Sequence, residues 1–426
     1  MGRLRSFALC GLLLAAGCAS AAAAVGEPEG RKGWSVNALP DISYNTDTGL
    51  ILGAYADLFY YGDGSLYPNF IHRASLAACW FSKGGWYAHG SFEASGILPG
   101  VDGSLAVSYL SRNNNSFYGF NGVASPYFSE LEYDGKNGQA FYSTGRDMFR
   151  AAANLQGYIS GKLKWVGGLN YRNYSFRDIG LEGTDPSNTL YRRYIDYGLI
   201  RSDEASGGGN LELMAGLLYD SRDIKTCPRK GIYANAMLLA NKDLSNSYDF
   251  AKAVANLSLF IPAGSRCTIA ARLAYQGLIA GSQPFYMLQD FTTLFYKDPD
   301  FEGLGSRYTF RGALYCRLLG NGYFWANIEP RISVASFSLF RQQIDLVLNP
   351  FLDLGMITDS FRPEEQKATA DKFIYSGKPD GLHCSAGIGG KLHINYNFIL
   401  SADFGKALDK QLAPSPTVSL STAYVF

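Results

Sequence analysis

The sequence predicts an all-β protein, a transmembrane antiparallel β-barrel of about sixteen strands with a long sixth extracellular loop folded into the lumen. Three observations predict it. From residue 36 onward, strand-length segments follow one another, each alternating apolar with polar or small residues and showing almost no helical period. The chain holds 29 Tyr, 27 Phe and 48 Gly with only 18% charged residues, yet beyond its first two dozen residues no apolar run approaches the roughly 18 that a membrane helix needs. Finally, long and short links alternate in the order expected when one end of a barrel carries loops and the other carries turns.

Taken in order, residues 1–24 read as a signal peptide. Arg3 and Arg5 supply the basic start, Phe7 to Ala16 the apolar core, and Ala19-Ser20-Ala21 the small-residue cleavage site. A competing reading is lipidation at Cys18, which follows Ala15-Ala16-Gly17 but lacks the usual Leu three residues before it. Residues 25–35 form a short periplasmic lead, and residues 36–426 form the barrel. The expected location is the bacterial outer membrane.

The expected strands are 36–45, 49–61, 69–82, 85–97, 103–112, 147–159, 162–176, 209–222, 231–241, 247–261, 266–280, 322–337, 343–357, 383–395, 397–406 and 416–426. Leu211, Leu213, Ala215, Leu217 and Tyr219 share one face of their strand, opposite Glu212, Met214, Gly216, Leu218 and Asp220. If the first strand rises from the periplasm, the long links 113–146, 177–208, 281–321 and 358–382 are all extracellular. Ser160-Gly161, Pro262 to Ser265 and Phe340 to Gln342 are then periplasmic turns. Within the second long link, Thr189 to Ile200 suits a short amphipathic helix or a strand extension, and Gly207 to Gly209 marks re-entry into the wall.

Net charge is +1, so no basic field points to nucleic acid. Cys79, Cys227, Cys267, Cys316 and Cys384 are scattered without a CxxC, which indicates neither a disulfide framework nor a zinc site. Asp298-Pro299-Asp300-Phe301-Glu302-Gly303 imitates the start of a calcium loop, but Thr309 stands where the bidentate Glu belongs. His89, Ser91 and Glu93 share a face of the fourth strand. Residues two apart on a strand lie roughly 7 Å apart, too far for a nucleophile and its base, so they read as lumen lining. The expectation is a non-enzyme with no catalytic, metal or cofactor site.

Four stretches resemble, in order, the motifs of the BamA/TamA superfamily, often labelled bacterial surface antigen. Tyr219-Asp220-Ser221-Arg222-Asp223 with Pro228 and Gly231 resembles the family's D-x-R-D…P…G periplasmic turn. Phe310-Arg311-Gly312 resembles the V-R-G-F/Y motif of the sixth extracellular loop. Phe351-Leu352-Asp353-Leu354-Gly355 is similar to the F-x-D-x-G element of the thirteenth strand. Ala386-Gly387-Ile388-Gly389 and Asp403-Phe404-Gly405 resemble the glycine-bearing fourteenth and fifteenth strands. Pro330 departs from the pattern of the twelfth strand, and the ladder donor it lacks predicts a local bulge. Only about a dozen residues separate the signal from Trp34, whereas a periplasmic POTRA module needs about 75, so the resemblance is to the POTRA-less branch. At the other end, Tyr424 and the terminal Phe426 resemble the signal by which outer-membrane barrels are delivered to the barrel assembly machinery.

For the central loop, composition alone leaves Arg311 either a solvated arginine or a partner of Asp353, which shares an alternating face with Asp345, Asn349 and Gly355. The resemblance favours the pair, with a guanidinium gripping a carboxylate through two hydrogen bonds and Gly312 and Gly355 allowing close backbone approach. It implies a barrel that aids insertion or translocation of a protein or lipid client. A passive or plugged pore for small solutes is the alternative. Expected partners are outer-membrane lipids, the assembly machinery during biogenesis and an unidentified periplasmic protein.

Overall fold

A computed structural model describes residues 32–45, 49–65, 70–132, 140–178, 185, 187–225, 227–291, 302–305, 307–339, 342–394 and 398–421. The expected signal peptide and the carboxyl-terminal Tyr424 and Phe426 lie outside them. Among the described residues sixteen strands close into one barrel, each pairing antiparallel with its neighbours in sequence and β1 pairing with β16.

The first eight strands are β1 (Trp34–Asn45), β2 (Gly49–Tyr60), β3 (His72–Phe81), β4 (Gly85–Leu98), β5 (Val101–Ser116), β6 (Ser143–Ser160), β7 (Leu163–Arg177) and β8 (Gly207–Asp220). The second eight are β9 (Gly231–Asp243), β10 (Phe250–Pro262), β11 (Cys267–Gly281), β12 (Gly322–Leu339), β13 (Gln342–Asp359), β14 (His383–Ile394), β15 (Phe398–Ala407) and β16 (Thr417–Ser421). The links 117–142, 178–206, 282–321 and 360–382 all emerge at one end, and the turns 99–100, 161–162 and 263–266 at the other. A short helix, α1 (Leu190–Asp196), forms where a helix or strand extension was expected, started by Thr189, whose hydroxyl accepts from the Arg192 amide at 3.2 Å. A second, α2 (Pro363–Ala368), begins on a proline at its first turn. No helix among the described residues is long and apolar enough to cross a membrane.

Alternation decides which way the wall faces. Leu213 and Leu238 are 61% exposed and Leu273 52%, while Glu212, Asn170, Arg272, Glu329 and Asp353 on the opposite faces are buried. In water this arrangement would be inside out; with hydrocarbon around the wall it is what a barrel requires. The lumen is not uniformly polar, however. Val166, Met214, Leu218, Met237, Leu239 and Val254 form an apolar cluster on the inner face of β7 to β10.

The bulge expected at Pro330 is absent. The β12–β13 register is unchanged from Ile328 opposite Leu352 to Ile332 opposite Leu348, and the two shifts in this pair fall between Gly322 and Tyr323 and between Ser333 and Ala335. That same register sets Pro330 opposite Pro350, so the missing donors coincide on one rung and no extra residue is needed to absorb them.

Candidate functional site: a lumenal loop tied to the wall

The link from β11 to β12 turns into the barrel, and Arg311 is its best-held side chain. Its Nε donates to Asp353 Oδ2 and its Nη2 to Asp353 Oδ1, both at 2.8 Å, while its own backbone amide donates to Oδ2 at 3.0 Å. The third arm, Nη1, donates to Glu329 Oε2 at 2.9 Å and lies 3.6 Å from Asp403 Oδ1. One planar fork therefore reads β12, β13 and β15 together, which a lysine's single ammonium cannot do. Asp353 faces Asn327 across the β12–β13 ladder, with Glu329 one inward position further along, so the two acids sit diagonally on adjacent strands. The guanidinium carbon stacks 3.5 Å from the centroid of the Phe351 ring, the inward residue two before Asp353.

Glycines make room for this. Gly312 has φ +86°, and a Cβ there would come within 2.7 Å of the Lys406 amide nitrogen; its carbonyl accepts from the Ala407 amide at 3.1 Å. The loop thus runs hard against β15, where only a residue without a side chain fits. A Cβ on Gly355 would meet the Phe310 ring at 2.9 Å.

Charges of both signs hold the rest of the loop. Wall arginines grip loop acids: Arg146 on β6 forks onto Glu302, and Arg172 on β7 bonds to Asp290. Lys252 on β10 donates to the Met287 carbonyl at 3.1 Å, Gln276 on β11 to the Asp290 carbonyl at 2.7 Å, and Asn327 on β12 to the Thr309 carbonyl at 2.8 Å. Sequence reading did not find Arg146, Arg172 or Asp290, and it met Glu302 only as part of the calcium-loop imitation. The available signal was arginines on the wet face of β6 and β7. Asp298 to Phe301 of the calcium-loop imitation lie outside the described residues, and among those described no His, Cys, Asp or Glu cluster could hold a metal. His89 meets Ser108 on β5 at 2.9 Å and Glu93 meets Arg73 on β3 at 3.5 Å.

Above the lumen the long links lock into a dome. Arg317 donates to the carbonyls of Gly122 at 2.8 Å, Ser125 at 2.7 Å and Gln411 at 2.9 Å, joining three links with one side chain. Asn121 donates to the Phe361 carbonyl at 2.8 Å and accepts from the Phe361 amide at 2.7 Å. Beneath these bonds Phe120 packs edge-on against Tyr194 and Phe361, with ring centroids 5.0 and 4.8 Å away. Burial pushes the Tyr194 phenol up to about 12, so it remains a neutral partner of Ser125, 2.9 Å away.

The turn from β8 to β9 is a separate device. Arg222 forks back onto Asp220 through two bonds of 2.9 Å and lies over the Tyr233 ring at 4.4 Å. Asp223 Oδ1 accepts the amides of Ile224, Arg229 and Lys230, Pro228 is buried, and Gly231 takes φ +122° against the Ser221 carbonyl. Gly231→Ala is expected to lower barrel stability by about 1–3 kcal/mol through strain at this position, measured as a lower midpoint in urea unfolding. An unchanged midpoint would show that the turn tolerates the side chain.

Fold and site together define a closed β-barrel whose lumen is occupied by its own loop. Two solved structures share that barrel. BamA from Haemophilus ducreyi lacking POTRA domains 1–3 superposes with a TM-score of 0.59 at 16% identity, covering 92% of this chain and 70% of that one. CdiB from Escherichia coli gives 0.54 at 12% identity, covering 94% of this chain and 64% of that one, so this chain spans less than two thirds of its length. No family model matches the chain, and no curated protein matches it. The chain has the BamA-type barrel fold that its motifs resemble.

Proposed function

We propose that this chain is a non-enzymatic barrel of the bacterial outer membrane that aids insertion or translocation of a hydrophobic client, protein or lipid. The observation that carries this reading is the Arg311 fork: one guanidinium ties the loop between β11 and β12 to the inner face of the wall. A passive pore has no use for such a plug, whereas a machine that must stay sealed between clients does. The long-link end faces outward, and the periplasmic turns are where a client or a separate periplasmic protein arrives. The assembly machinery that inserts other outer-membrane barrels inserts this one.

Planar bilayers test the plug. The intact protein is expected to be nearly silent, with openings appearing in Arg311→Ala; large, steady openings of the intact protein would favour the pore. Vesicles carrying the barrel are expected to speed the folding of a denatured outer-membrane barrel compared with empty vesicles. Equal rates would remove protein insertion from the proposal and leave lipid movement, which labelled phospholipid transfer measures.

A further inference from the structure

We propose that the short-turn end between β6 and β11 is a docking surface for anionic phospholipid headgroups of the membrane's inner leaflet. The inference rests on the orientation and membrane location proposed above. Three consecutive turns, β6–β7, β8–β9 and β10–β11, carry exposed Lys162, Lys225, Arg229, Lys230 and Arg266. Against these five cations the same turns offer one exposed carboxylate among the described residues, Asp223, whose Oδ1 already accepts three backbone amides. Arg222 does not add to the free charge, because it is paired with Asp220.

The turns form one surface. Arg229 Nη2 donates to the Ser265 carbonyl at 2.5 Å, tying the second turn to the third, and the Asp220 amide donates to the Lys162 carbonyl at 3.3 Å, tying the first to the second. Elsewhere on this end cations are sparser: the sequence has no Lys or Arg in the links 61–71, 99–100 or 395–397, one, Arg341, between β12 and β13, and Lys32 just before β1. The charge is therefore densest in the sector from β6 to β11.

Lipid is favoured over protein by what borders the cations. Ile159, Ile232 and Ile261, all exposed on the hydrocarbon-facing side of the wall, lie within five residues of Lys162, Lys230 and Arg266. That spacing puts the ammonium and guanidinium groups at the level of the headgroups, with their flexible stems along the apolar band. A protein interface needs an apolar centre, and among the described residues these three turns bear no exposed large apolar side chain.

The experiment uses the full chain in bilayers of phosphatidylethanolamine containing phosphatidylglycerol. Spin-labelled phosphatidylglycerol and phosphatidylethanolamine are compared for the fraction immobilised at the protein surface. The expected result is a preference for the anionic lipid of about threefold at low ionic strength, shrinking as salt screens the charges. It should vanish in the Lys162→Gln, Lys225→Gln, Lys230→Gln, Arg266→Gln variant, which keeps the Arg229 bond to Ser265. Equal immobilisation of the two lipids overturns the proposal, as does a preference that survives in the variant. Binding of acidic polypeptide at this end with no lipid preference overturns it in favour of a protein partner. Insertion is scored separately by heat-modifiable migration. A chain that fails to insert in any bilayer sinks the membrane reading itself, while one that inserts without preference sinks only this inference.

Discussion

Arg311→Ala is expected to cost the folded barrel about 3–5 kcal/mol, because it leaves Asp353 and Glu329 as buried carboxylates without the cation that compensates them. Both acids are fully buried, and the Arg311 side chain supplies two hydrogen bonds to Asp353 and one to Glu329. Arg331 still reaches Glu329 at 2.8 Å, so Asp353 bears most of the loss. Arg311→Lys keeps the charge but not the fork and is expected to fall between the two. Heat-modifiable migration reads the stability, and limited proteolysis in the link 282–321 reads the loop. The paired change Arg311→Met with Asp353→Leu is expected to regain part of the stability, because it removes both charges together. A single variant with the wild-type transition and an equally protected loop would show that Arg311 is not what holds it.

How far the sequence announces this site follows from what strand periodicity encodes. A period of two reports which face a residue is on, so Asp353, Glu329, Arg146 and Arg172 are legible as inward positions from alternation. It does not report who stands across the lumen. The Arg311–Asp353 pairing enters only through motif resemblance, and Glu302 meeting Arg146, 156 residues away, depends on closure of the whole cylinder and on the path of the loop within it. Link parity is legible for the same reason that faces are, since an up-and-down meander forces long and short connections to opposite ends. The dome is not, because its bonds are loop to loop. Pro330 shows the limit of local argument: the lost donor is read correctly from one strand, but its consequence depends on Pro350 standing opposite.

The dome offers the second large effect. Arg317→Ala is expected to cost about 3 kcal/mol, because three carbonyls, two in the link 117–142 and one in the link 408–416, lose a charged donor at once. Unlike Arg311, whose fork bonds to β12 and β13, this side chain donates to carbonyls of two links. The variant should therefore keep the pairing of β12 with β13 while its outer links loosen. Hydrogen exchange separates the two sites: faster exchange is expected at Asn121, Ala124 and Ser125, whose amides bond within the dome, with β13 as protected as before. Arg311→Ala should give the reverse order, reaching the amides around Gly312 and Ala407 first. If either substitution loosened both regions equally, loop and dome would be one cooperative unit, and opening the lumen would require the whole outer end to unfold. If they separate, the plug can shift beneath a closed lid, which a barrel that handles clients without leaking needs.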